Sequence, residues 1–321
     1  MTKARYVFIT AFAVLVSALS AHAEKMHRIG YLHPGNPGSS STKAFVQQLR
    51  KLGYEDGHNI TIDFRFAKSQ KKLLPAMAAE LVGLKPDVIV VCCQPAVNAV
   101  RKATTTIPIV VGVSANYVKQ GLVESLQRPG GNLTGSTSMS GEFIGKQIRI
   151  FKEAVPTLTR VAVLHMGSKS HRAFLKRAEA EAGKLGFKLV PVAVKSPDEF
   201  TTAFQRIEKA GVDGFFVLRG GLLHRNKKRT TEFATKARLP SMYGHWQEAV
   251  AGGMIAYGID TRQLFRNAAQ FVDKILKGAS PAELPVAKPT EIDFVVNMKT
   301  AKSLGITVPQ AILKRATKVI E

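Results

Sequence analysis

"RIGYLHPG" spans Arg28 to Gly35, and "RVAVLHMG" spans Arg160 to Gly167, 132 residues further on. Both strings begin with an apolar run and end in Leu-His-x-Gly. Three more strings recur in the same order at nearly the same separation. "KLGY" (51–54) returns as "KLGF" (184–187), "PDVIVV" (86–91) as "VDGFFV" (212–217), and Pro108 as Pro240. Unbroken apolar runs of four to six residues are the mark of strands buried on both faces. Such runs stand at 29–32, 87–91, 108–111, 161–164 and 215–218. Between them Phe45/Leu49/Leu52, Leu74/Met77/Leu81 and Phe174/Ala178/Ala182/Leu185 repeat every three to four residues, which is one face of a helix. Strand and helix in alternation imply parallel sheets with helices on both sides. The echo doubles that unit, so the expected fold is α/β, two similar doubly wound parallel-sheet lobes.

The two copies meet at "QRPGGNLTG" (127–135). A phosphate-cradling loop needs glycines after a strand and before a helix, with Lys-Ser or Lys-Thr following. Here Pro129-Gly130-Gly131 precede a strand expected over 132–137, so they read as a turn. The Asn132-Leu-Thr sequon falls at that strand's start, a poor place for glycosylation. A helix with Ile144, Ile148, Phe151 and Val155 on one face follows. Beyond the second copy come a strand over 254–258, a helix on Leu264/Ala268/Phe271/Ile275, the Pro-rich "GASPAELPVAKP" (278–289) and a strand over 292–297. These late elements predict that the chain crosses back between lobes through a multi-crossover hinge. The expected division is 24–138 with 257–283 as lobe 1, and 139–256 with 284–321 as lobe 2.

The N-terminus reads as a secretory signal. Lys3 and Arg5 precede an uncharged apolar run over 6–19, and Ala21-His22-Ala23 places small residues where A-x-A cleavage needs them. The run is shorter than the ~20 residues of a membrane span, and no Cys adjoins the cut to carry a lipid. Residues 1–23 are thus expected to be removed after Ala23 and the mature protein to be periplasmic. The whole chain carries a formal charge of +23. Much of it, as in Lys169, Arg172, Lys176 and Arg177, is spread at helical spacing, the mark of a solvated face. The Arg225–Arg229 cluster has no interleaved aromatics, which argues against nucleic acid. The only cysteines, Cys92 and Cys93, are neighbours, so no disulfide framework exists. The eight histidines include no H-x-x-x-H pair, and no metal site and no cofactor are expected.

Function should sit where loops leave the strand C-termini, because two such sheets facing across a hinge enclose a cleft there. The first lobe offers Ser40 and Ser41, Gln94, Ser114 and Asn116. The second offers His165, Ser168, Arg219 and Tyr243, with Ser138 and Tyr257 near the crossovers. Hydroxyls, amides and helix N-terminal N–H groups suit a small polar or anionic molecule. Ser39 to Thr42 equally well cap the following helix. Tyr117, Tyr243 and Trp246 are candidates to stack on a ligand. Arg219 is the leading anchor, because a guanidinium holds an anionic group bidentately. His33 and His165 occupy matching strand ends and are the only acid/base pair in view, with no Asp or Glu beside either in sequence. No G-x-S-x-G elbow and no dinucleotide fingerprint are present.

Three stretches carry a family resemblance: 104–135, "YGHWQEAVAGGMIAYGID" (243–260) and 271–316, the last with "PTEIDFVVNMKTAKSLG". They resemble ABC transporter substrate-binding proteins of the tryptophan/tyrosine type, over essentially the whole mature chain. The resemblance implies a type I periplasmic-binding-protein fold and no catalytic residues. It also implies a monomer that delivers its solute to an inner-membrane permease with a cytoplasmic ATPase. One departure stands out. Many relatives of this type carry Asp-Pro after the fourth strand where this chain has Ala115-Asn116, so an acid that would meet a ligand amine is missing there. The rival readings are an exported α/β enzyme using His33 and His165, and a cationic envelope-associated protein that binds through its surface charge.

Overall fold

The computed structural model describes residues 26–114, 117–138 and 140–321. The expected signal segment, residues 1–23, and the Ala115-Asn116 pair lie outside them. Two sheets form. The first takes β1 (His27–His33), β2 (Ile60–Phe66), β3 (Val88–Cys92), β4 (Ile109–Ser114) and β5 (Leu133–Thr137) in the order β2-β1-β3-β4-β5, all parallel. The second takes β6 (Arg160–His165), β7 (Lys188–Ala193), β8 (Gly214–Val217), β9 (Ser241–Tyr243) and β10 (Ile255–Ile259) in the order β7-β6-β8-β9-β10. That is the same order. The second sheet then extends to β11 (Ile292–Asn297), antiparallel to β10, and β12 (Lys318–Ile320), parallel to β11. The chain is therefore two doubly wound lobes of one topology.

The sequence echo has atomic counterparts. Asp87 accepts the Arg28 backbone N–H at 2.8 Å and returns its own N–H to the Arg28 carbonyl at 2.8 Å, and Asp213 does the same with Arg160 at 2.9 Å each way. Each aspartate thus pins the start of its lobe's first strand, satisfying backbone groups that burial would otherwise orphan. The carbonyls of Pro108 and Pro240 accept from Ile89 and Phe215 at 2.8 and 2.9 Å. At the other end of the strands, His33 Nδ1 accepts the Gly35 N–H at 2.9 Å, and His165 Nδ1 accepts the Gly167 N–H at 3.1 Å. The Leu-His-x-Gly string is a turn locked by an imidazole.

The helix Thr261–Leu276 returns to the first lobe. It packs on the helix Ser40–Lys51 and on β4 and β5, burying Leu264, Phe265, Ala268, Phe271 and Ile275. Each large apolar side chain so buried stabilises by about 1.5–3 kcal/mol. Gly112 is required beneath this helix, since a Cβ there would lie 2.6 Å from the Phe265 ring. The Pro-rich connector does not cross over directly. Ala287 donates to the Gly135 carbonyl at 2.9 Å and accepts from Thr137 at 2.8 Å, so 284–288 runs along β5 in the first lobe. β10 stays in the second sheet to Ile259, where the return to lobe 1 was expected from 257, and Leu284 to Ala287 still pair with the first lobe, where lobe 2 was expected from 284.

The hinge is held by charge and amide contacts. Gln263 Oε1 accepts from the Thr290 and Glu291 N–H groups at 3.1 and 3.0 Å. Asp260, almost fully buried, caps the return helix by accepting the Arg262 N–H and Nε at 2.8 Å each. The Arg262 guanidinium lies 5.1 Å from the Trp246 ring centre and 3.6 Å from Asp293.

Candidate functional site

On the first lobe's strand ends, Ser39 caps the helix Ser40–Lys51 by accepting the Thr42 N–H at 3.1 Å, and its hydroxyl bonds Ser41 at 3.1 Å. Ser40 is exposed and Ser41 half-buried. β3 passes into the helix Cys93–Ala103 through Cys93 at φ 57, a backbone state rare outside glycine. That turn presents Gln94. Its Oε1 accepts from Ser114 Oγ at 2.9 Å, its Nε2 donates to Asn98 at 2.7 Å, and the Ser114 carbonyl accepts the Ser138 N–H at 2.7 Å. Gln94, Ser114 and Ser138 thus form one neutral polar wall. Cys92 and Cys93 are free thiols beside it.

The second lobe builds the same frame and a different wall. Ser168 caps the helix Lys169–Lys184 by accepting the His171 N–H at 3.2 Å and bonds Ser170 at 3.0 Å, matching Ser39 and Ser41. His171 Nδ1 accepts the Met166 N–H at 2.9 Å while Nε2 donates to the Arg219 carbonyl at 3.0 Å. Burial pushes its pKa down to about 4, which keeps the ring neutral as that bonding requires. His171 therefore ties the loops after β6 and β8 together and sets Arg219.

Arg219 is largely shielded from solvent. Its side chain makes one long bond, Nη1 to the Ile259 carbonyl at 3.5 Å, and among the described residues no carboxylate lies within ion-pair distance. Desolvation pushes its pKa down to about 10, with Glu248, Asp293 and Asp260 opposing. The guanidinium stays charged at neutral pH with donors to spare. It faces a small recess shared with Phe143, Ile144, Gln147, Phe174, Gly244 and Gly258. Glycine is needed at two of those positions. A Cβ on Gly258 would fall 2.2 Å from the Gly244 carbonyl, and one on Gly244 would meet the Arg219 stem at 3.0 Å. The recess thus brings one cation next to two phenylalanine side chains.

Some expected residues lie elsewhere. Tyr243 is wholly buried in the second lobe's core, with its hydroxyl donating to the Thr230 carbonyl at 3.3 Å, so its ring is no part of a cleft wall. Tyr117 is likewise a core residue, its hydroxyl bound to the Ser136 carbonyl at 2.8 Å. In both cases a strand-end aromatic turned inward because the layer beneath had room and a backbone acceptor for its hydroxyl. Tyr257 stands behind Phe143 at 6.2 Å between ring centres and packs edge-on to Phe294. His33 and His165 bond their own loops through Nδ1, and burial pulls both pKa values down, His33 to about 4. They shape turns. Sequence reasoning places Phe174 on a core face and passes over Phe143 and Gln147, which sit beside the Ile144/Ile148 face rather than on it. A broader groove lined by Lys85, Lys102 and Thr104–Ile107 lies at the opposite, N-terminal ends of β3 and β4.

Two parallel-sheet lobes of one topology, joined by three crossovers with polar groups at the facing strand ends, define a periplasmic-binding-protein-like receptor. The chain belongs to the ABC transporter substrate binding protein family, whose model matches residues 35–320. A tyrosine-binding protein of Clostridioides difficile (strain R20291) is 26% identical over 265 residues, covering 82% of this chain and 76% of that protein. The crystal structure of an ABC domain in complex with L-Trp from Streptococcus pneumonia matches at 25% identity and a TM-score of 0.84, covering 92% of this chain and all of that one. A conserved domain protein from Vibrio cholerae o1 biovar eltor matches at 27% identity and 0.84, with the same coverage. The family binds ligands and does not catalyse, which sets the enzyme reading aside.

Proposed function

We propose that the protein is exported, sheds residues 1–23 and acts in the periplasm as the monomeric solute receptor of an ABC importer. It closes its two lobes over a small anionic solute with a flat apolar body and presents it to the membrane permease. Among the described residues no helix is long and apolar enough to cross a membrane, in keeping with a receptor that needs a separate permease. The observation that carries the reading is Arg219, a shielded guanidinium beside Phe143 and Phe174 with no carboxylate in ion-pair range among the described residues. Leaving such a charge unpaired is costly, and a ligand carboxylate would relieve that cost. The relatives that bind tyrosine and L-Trp point to aromatic amino acids as the first solutes to try. Ala115-Asn116 stands where many relatives of that type carry Asp-Pro, so the amine should matter less here than the carboxylate.

The test is a small-molecule panel. Aromatic amino acids, the same skeletons without the α-amine, and their primary amides are titrated calorimetrically, guided by mass spectrometry of whatever co-purifies under native conditions. The carboxylates should bind with or without the amine, and the amides should bind at least tenfold more weakly. Binding indifferent to the carboxylate would remove Arg219 from the site.

A further inference from the structure

Beside the recess, three side chains from two segments come together. His224 lies in the last turn of the short helix Gly221–Arg225, and His245 is the N-cap of the helix Trp246–Val250, which carries Glu248. Each offers one donor atom, and the three atoms lie within 4.8 Å of one another. His224 Nδ1 is 2.9 Å from Glu248 Oε1, and the two imidazole rings are 4.4 Å apart between centres. Glu248 is 3% exposed, and its second oxygen, Oε2, is buried with no hydrogen-bond partner among the described residues. A buried carboxylate oxygen left unpaired is a cost that native structures seldom carry without a reason.

We propose that His224, His245 and Glu248 form a binding site for one divalent transition-metal cation of the zinc, nickel or copper class. Two imidazoles and one carboxylate are the donor set such cations prefer, whereas calcium and magnesium seek oxygen-rich shells. Metal–ligand distances of about 2.0–2.2 Å place neighbouring donors roughly 3.3 Å apart, so the widest pair must close by up to about 1.5 Å through side-chain adjustment. Arg219 and Lys227 stand near His245. Arg219 and Lys227 add positive charge that a bound cation must overcome. Glu248 offsets part of it, as do Asp260 and Asp293, which act on Arg219. Three protein donors leave a coordination position open for water or for an anionic group on a solute. Sequence spacing hid the site because 224, 245 and 248 fit no short ligand motif.

Equilibrium dialysis of the untagged, chelator-treated chain against zinc or nickel chloride reads the site directly, without any organic solute. The expected result is one cation per chain at micromolar concentration. His245→Ala and Glu248→Gln should weaken it at least tenfold, and the exposed His58→Ala should leave it unchanged. Cobalt substitution should give a visible absorption band that is lost in His245→Ala. Circular dichroism on each variant separates lost ligation from lost folding, and partly exposed His245 is the safer substitution. No saturable uptake, or uptake undiminished in both site variants, overturns the proposal. Either result leaves the solute reading untouched, since that rests on Arg219.

Discussion

The two lobes share a frame and differ in chemistry at equivalent points. Asp87 and Asp213 pin the first strand of each, and His33 and His165 lock the same turn. Ser39 and Ser168 cap the same helix. Yet counting from the two aspartates, Cys93 and Gln94 occupy the positions that Arg219 and Gly220 hold in the second lobe. One wall is neutral, built of hydroxyls and an amide that satisfy one another. The other carries a shielded charge whose donors are largely unspent. The comparison teaches that residues fixing a strand's ends can stay the same while the residue just beyond changes the charge and hydrogen-bonding capacity of the wall.

The largest expected effect concerns the ligand itself. At a thousand times its Kd, a solute that binds only the folded chain adds about 4 kcal/mol of stability, and Arg219→Ala should remove most of the corresponding rise in Tm at the same concentration. If Gln94→Ala abolished that rise and Arg219→Ala did not, the roles of the walls would be exchanged.

Glycines at equivalent positions, Gly112 and Gly244, should then part company. Gly112→Ala drives a Cβ into Phe265 at 2.6 Å, an overpacking that should cost about 1–3 kcal/mol and lower Tm by several degrees. Gly244→Ala meets the Arg219 stem at 3.0 Å and should act chiefly on solute affinity. Thermal melts and titrations on the same two variants read both effects.

Asp293 sharpens the contrast through pH. Burial first, and Asp260 second, raise its carboxyl from 3.8 to about 6. Between those values the folded chain holds a proton that the unfolded chain has released, so stability falls as pH rises from about 4 to 6. Asp293→Asn removes that slope. Allowing for partial exposure and for Arg262 at 3.6 Å, it should gain about 1–2 kcal/mol at pH 7 relative to pH 4 in denaturant titrations. An unchanged slope would mean that the carboxyl titrates normally.

The smallest effect tests the sameness of the frame. Ser39→Ala and Ser168→Ala each remove one N-cap and should each cost about 1 kcal/mol. A large inequality would show that one capping loop does more than cap.

Much of the frame was legible because it depends on local chemistry. The fully buried strands announced themselves as unbroken apolar runs, and the echo of Leu-His-x-Gly, Lys-Leu-Gly-aromatic and the two aspartates carried the doubling. β2 and β7 were missed for a physical reason. Both are edge strands, half-exposed and interrupted by Asp63 and Arg65 or by Pro191, so neither shows the apolar run of a central strand. The site was legible in part. Arg219, Gln94, Ser114 and Ser138 stand at strand ends or crossovers, where topology alone places function. Tyr243 and Tyr117 stand there too and turn into the core, a choice set by packing beneath the sheet. The His224–His245–Glu248 cluster comes from two stretches of chain and exists only once the lobe is folded.

The most direct test is a calorimetric comparison of Arg219→Ala and Gln94→Ala with the tightest carboxylate found in the panel. A charged contact in a shielded site is worth about 1.5–3 kcal/mol and a neutral one about 0.5–1.5. Affinity should therefore fall roughly ten- to a hundredfold in Arg219→Ala and no more than about tenfold in Gln94→Ala. Equal losses, or an Arg219→Ala variant that folds and binds like the parent, would contradict the division of labour between the lobes.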